Sequence, residues 1–278
     1  MTSTTASPPQ GTAPRRRAVE VHPVSTSRVI HSEWIKLWTL RSTWLTYAIG
    51  IAGAIGISYL VSYETRSHWS QMDPRERLFF DPTQRSLAGV FLAQLAIGVL
   101  GILIVTSEYS TGTVRASFAA VPKRLPVLLA KAVSFAAVTL VLMEVMTFVS
   151  FLGGQALLHP YSTSLGASNV LRAVIGAGLY LVVVGLFGMG LGAIIRSTPA
   201  AIATLFGLLL VLPGIMNLLP SSWQRHISPY LPSNAGQDIF TLHPDPGSLA
   251  PWAGFGVFCL WALVALLVAA GLLVRRDA

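Results

Sequence analysis

Six long, nearly uncharged apolar stretches, at 44–61, 87–106, 127–152, 170–195, 200–219 and 251–274, constrain this chain more than any other feature. Each approaches the roughly 20 residues a helix needs to cross the hydrocarbon core of a bilayer. A backbone in lipid must satisfy its own hydrogen bonds, so such stretches fold as helices. The expected class is an all-α membrane protein with six transmembrane helices. Composition agrees, with 53% hydrophobic and 11% charged residues, against about 45–50% and about 25% in soluble domains. The fourth and fifth stretches are separated only by RSTP at 196–199, which predicts a tight helical hairpin.

The formal net charge of +8 does not point to nucleic acid, because the cations border apolar segments instead of clustering on a soluble face. They report orientation instead. With both termini cytosolic, 13 of the 19 Lys and Arg fall on the inner side, as the positive-inside rule requires. Four of the remaining six sit in one outer loop, 62–86, beside Glu64, Asp73, Glu76 and Asp81. The single cysteine, Cys259, lies in an apolar stretch and can form no internal disulfide, and no spacing suggests a metal site. No cofactor is expected.

Residues 1–27, rich in Ser, Thr and Pro, are expected to be a disordered cytosolic tail, followed by a single membrane domain over 28–278. Between 28 and 41, Ile30, Trp34, Leu37 and Trp38 recur at helical spacing opposite Arg28, Glu33 and Lys36. That is the pattern of an amphipathic helix lying in the membrane interface, with Arg41 at its end. A cytosolic extension of the first membrane helix is the plainer alternative. The outer stretch 220–249 carries prolines and short apolar groups, predicting one or two short external helices before the last span.

The polar and basic island at 108–131, EYSTGTVRASFAAVPKRLPVLLAK, lies between the second and third spans and reads as a cytosolic loop. Glu108 belongs at the water boundary, since a charge deeper in hydrocarbon costs about 2.5–3.5 kcal/mol even on the lenient scale. Val114, Phe118 and Val121 mark one face of a short helix that Pro122 ends. Pro126 suits the first turn of the next helix.

These residues resemble a known family. EYSTGTVRAS at 108–117 and VPKRLPVLLAK at 121–131, with SEWIKLWTLRSTW at 32–44 and YLPSNAGQ at 230–237, are similar to the membrane subunits of ABC-2-type ABC transporters of bacteria. The resemblance implies a permease in the cell membrane. Export is expected over import, because the sequence shows no sign of a docking site for an external binding protein. The resemblance also implies a dimer, with itself or with a second permease, served by a separate cytosolic ATPase. The 108–124 segment would be the coupling helix that docks on that ATPase, through Glu108, Tyr109, Thr111, Gly112, Thr113, Arg115, Lys123 and Arg124. The 28–41 helix would touch it through Glu33, Trp34, Lys36 and Arg41. The substrate path would run along the second and fifth spans past Gln94 and Asn217.

Other signals are weighed against plainer readings. LGGQ at 152–155 looks like part of an ATPase signature, but at the end of a membrane span it reads as chance or helix packing. GMG at 188–190 lies mid-membrane and lacks the strand a dinucleotide fingerprint requires. No GxxxxGK[ST] loop occurs, so ATP hydrolysis is expected in a partner. Glu144, an acid well inside a span, is either a functional group of the path or a packed polar residue. His159 and His243 read as solvated loop residues, and Trp44, Trp223 and Trp252 as interfacial anchors. An ion-coupled secondary transporter using Glu144 is the main alternative function. An intramembrane enzyme is the weaker one, because Glu144 has no catalytic companion.

Overall fold

The computed structural model describes residues 31–32, 34–35, 41–110, 124–216 and 218–275, and over them the chain is helical, without a strand. Among the described residues six helices are long and apolar enough to cross a membrane. In chain order the elements are α1 (Arg41–Ser67), the short α2 (Pro74–Leu78) and α3 (Pro82–Ser86), α4 (Val90–Ser110), α5 (Arg124–Leu158), α6 (Val170–Ile195), α7 (Thr198–Met216), the short α8 (Ser221–His226) and α9 (Pro232–Gln237), and α10 (Pro251–Arg275). The spanning helices are α1, α4, α5, α6, α7 and α10. The chain is thus a multi-pass membrane protein.

Spans and apolar stretches coincide closely, and the fourth agrees in both bounds. The largest differences are at α1 and α5, which run past the apolar stretches to Ser67 and Leu158. The second span starts at Val90 instead of Leu87, because Leu87 to Gly89 form the turn that leaves α3. Gly89 is required there: a Cβ would stand 1.8 Å from the carbonyl oxygen of Ala54 on α1.

The centre of the bundle is α6, which packs against α4, α5 and α10 and is the most buried span. Glycine lets it approach so closely. A Cβ on Gly101 of α4 would meet the carbonyl oxygen of Gly185 on α6 at 2.0 Å, and one on Gly188 would meet that of Gly98 at 2.4 Å. Small residues facing each other bring helix backbones into contact, which replaces the hydrophobic drive that lipid cannot supply. On the other flank, α1 lies along α5 and α4. Tyr47 of α1 shares a buried 2.6 Å hydrogen bond with Thr139 of α5.

Two helix irregularities have local causes. The α6–α7 hairpin turns on Arg196, whose φ of 59° places it in the left-handed region and whose N–H returns to the Gly192 carbonyl. Left-handed closure of this kind ends many helices, and Pro199 then occupies the first turn of α7. Within α7, Gly207–Val211 form a π-helical turn. Pro213 follows it, and a proline lacks an N–H and crowds the carbonyl four residues back; the wider turn relieves that crowding.

The expected outer loop at 62–86 is folded. Asp73 and Asp81 cap α2 and α3, accepting from Arg75 N at 2.7 Å and Thr83 N at 2.8 Å. Trp69 stacks on Tyr161 at 3.8 Å, beneath the Arg77 guanidinium. Gln155, in the sequence LGGQ, packs and fastens: its amide donates to the Pro82 carbonyl at 2.9 Å and to Ser86 Oγ at 2.6 Å, and its oxygen accepts from Thr163 N. The short helices expected before the last span are α8, α9 and an intervening 3-10 turn at Ser228–Tyr230.

Candidate functional site

At one end of the bundle the polar segment 108–131 leaves α4 and re-enters as α5. Glu108 sits in the last turn of α4, where a carboxylate opposes the negative end of the helix dipole. Lys131, two turns into α5, offsets this: its Nζ donates to Glu108 Oε1 at 2.7 Å, with the side chains only 8% and 20% exposed. The pair pins together the two ends of the intervening segment. Two residues before Glu108, the Thr106 hydroxyl donates to the Ile102 carbonyl and accepts from Thr198 at the start of α7 at 2.8 Å. A displacement of this segment would therefore reach α4, α5 and the α6–α7 hairpin together.

Of the other residues expected to couple, Thr111, Gly112, Thr113, Arg115 and Lys123 lie outside the described residues, and only the helical backbone of Tyr109 and Arg124 is described. Glu33, Lys36 and Asn217 also lie outside them. Trp34 is helical and exposed, and Arg41 opens α1, exposed. Sequence reasoning counted Lys131 as a charge of the inner side and missed its pairing. The available signal was a lysine inside an apolar run, with an acid at the end of the preceding one.

Gln94 and Glu144 occupy separate places in the bundle. Gln94, 1% exposed on α4, accepts a 2.6 Å hydrogen bond from the Tyr180 hydroxyl of α6, while its Nε2 has no partner among the described residues. Its neighbour is therefore the fourth span. Glu144 of α5 points at Gly178 of α6, where a Cβ would touch its carboxylate at 2.5 Å. Both carboxylate oxygens are buried without a hydrogen bond among the described residues.

Gln94 also borders a cavity of about 410 Å³ near the opposite end of the bundle, walled by Val61, Leu87, Val90, Phe91 and Phe240. It adjoins a polar chamber of about 790 Å³ with Asp81, Asp238 and Asp245 in its wall. Asp238 is 8% exposed and accepts from Leu249 N at 3.2 Å. Burial, with some help from the Asp245 charge, pushes its carboxyl up to about 6. His243 is exposed and lies 3.6 Å from Asp81. Arg172 anchors this end, its guanidinium donating to the Ile239 carbonyl at 2.6 Å and the Thr241 carbonyl at 3.2 Å.

No group of three or more His, Cys, Asp or Glu side chains arranged to hold a metal occurs among the described residues. The model of the family described as ABC-2 family transporter protein matches residues 27–278. The chain belongs to the ABC-2 transporter family. As a member of that family it is a membrane-spanning transport subunit, a permease of an ABC transporter. No match is found to an individually curated protein. For an ABC-2 permease, the Glu108–Lys131 end is where a polar segment leaves and re-enters the bundle, and the cavities lie toward the other end.

Proposed function

We propose that the chain is the permease half of an ATP-driven exporter, working as a dimer with a separate cytosolic ATPase that docks on the 108–124 segment. The observation that carries this reading is the buried Glu108–Lys131 pair, which joins the ends of that segment to two spanning helices. The Thr106–Thr198 contact extends the connection to the hairpin. ATP binding in the partner would pull on the segment, and these contacts would move α4, α5 and α7 as a unit. Both termini would be cytosolic, in accord with the Lys and Arg distribution. In the export direction, the chamber at the far end is where a substrate leaving the bundle would emerge.

The test is co-purification of the detergent-solubilised chain with the candidate ATPase, wild type against a Glu108→Ala, Arg115→Ala double variant. Association that the folded variant loses, together with stimulated ATP hydrolysis, is the expected result. Absence of any associating ATPase would overturn the proposal. ATP-dependent transport in reconstituted vesicles separates it from an ion-coupled carrier using Glu144.

A further inference from the structure

The two far-end cavities adjoin as one composite region, with Gln84, Gln237, Phe240 and Thr241 lining both. Its halves differ in chemistry. The smaller is walled by aliphatic and aromatic side chains, with Gln94 as the buried polar group. Among the described residues Gln94 Nε2 is an amide donor without a partner, and leaving a buried donor unpaired is costly. A native structure carries that cost where something else supplies the acceptor. The larger half presents three carboxylates, Asp81, Asp238 and Asp245, against the guanidinium of Arg225, with His243 beside Asp81 and Arg85 exposed in the smaller half. Asp81 and Asp238 each spend one oxygen on backbone N–H groups, and Asp245 is exposed.

We propose that this composite cavity binds a cationic amphiphile within one protomer: an apolar body among Val61, Leu87, Val90, Phe91 and Phe240, an oxygen acceptor on Gln94 Nε2, and a positive head toward the three carboxylates. Each half is of ligand size, at about 410 and 790 Å³, since ligand pockets run to about 300–1,000 Å³. The walls draw on α1, α3, α4, α6, α7, α8 and α9 and on the segments flanking α3 and following α9, so every lining residue comes from one chain. Its role as a substrate site rests on the export reading; its existence as a binding site does not.

Rhodamine 6G, a monocation with an aromatic body and an ester carbonyl, is a suitable probe, and anionic sulforhodamine B is its counterpart. Fluorescence polarisation with the purified full chain in detergent, without ATPase or nucleotide, reads binding directly. The cation should bind at least tenfold more tightly than the anion. Gln94→Leu, which removes the donor at nearly constant volume, should weaken rhodamine 6G binding about fivefold. Asp245→Asn, in an exposed loop where folding is not at stake, should weaken it about twofold. Equal binding of the two dyes, or wild-type affinity in both variants, would overturn the proposal. Dye binding without ATPase association would overturn the export reading alone, and ATPase association without dye binding would overturn only this site.

Discussion

Lys131 Nζ lies 2.7 Å from Glu108 Oε1, across 23 residues of sequence, with both side chains largely withdrawn from solvent. Removing one partner of a buried pair is destabilising, by up to about 3–5 kcal/mol. Lys131→Met should therefore lower the melting temperature clearly, and Glu108→Gln added to it should recover most of the loss. A thermal scan of the single and double variants checks this, and additive losses would contradict the pairing.

The α4–α6 contact predicts a strong position dependence for added methyl groups. Gly101→Ala drives a carbon into the Gly185 carbonyl and should cost about 1–3 kcal/mol as an overpacking substitution. Gly56→Ala on α1 meets nothing within 4 Å and should be neutral or slightly stabilising, as helix propensity favours alanine by up to about 1 kcal/mol. Melting temperatures of the two variants, side by side, decide whether the contact is as close as described.

Arg172→Met should loosen the far end. The guanidinium donates to the carbonyls of Ile239 and Thr241, just beyond α9, and hydrogen bonds from a charged donor are each worth about 1.5–3 kcal/mol. Hydrogen exchange should rise over 232–241 while the α4–α6 core stays protected. Uniform exchange across the chain would refute a local anchoring role.

Asp238 gives a pH dependence with a definite sign. Its carboxyl titrates near 6 in the folded chain, against 3.8 ordinarily, chiefly because it is buried. The folded state thus holds its proton more tightly than the unfolded state. Its contribution is fully present below about pH 4 and is lost as pH rises through 6. The melting temperature should fall between pH 4.5 and 7, and Asp238→Asn should flatten that slope. An unchanged slope in the variant would assign the dependence to other groups.

Glu144 carries two buried carboxylate oxygens without hydrogen bonds among the described residues, and burying an unpaired polar group is costly. Glu144→Met, similar in length and apolar, should raise thermal stability by about 1 kcal/mol. Transport by the variant should fall, since a group retained against stability is expected to serve function. Full transport by a more stable variant would make Glu144 a packing residue.

The six spans, the hairpin at 196–199, the short helices before α10 and the family motifs were all legible in the sequence. Each rests on local information: the length of an apolar run, a proline or glycine at a boundary, a cluster of charges between runs. Which faces of those helices meet was not legible. The spans are apolar almost all round, so no amphipathic pattern separates a lipid-facing side from a core-facing one. Gln94 was assignable to a path along the second and fifth spans by resemblance alone, and its hydrogen bond with Tyr180 of the fourth, 86 residues away, was not legible. The partners of Glu108, Gln155 and Arg172 were likewise decided by packing. The glycines of α4 and α6 bring two backbones into contact, and that close approach determines which polar groups can reach one another.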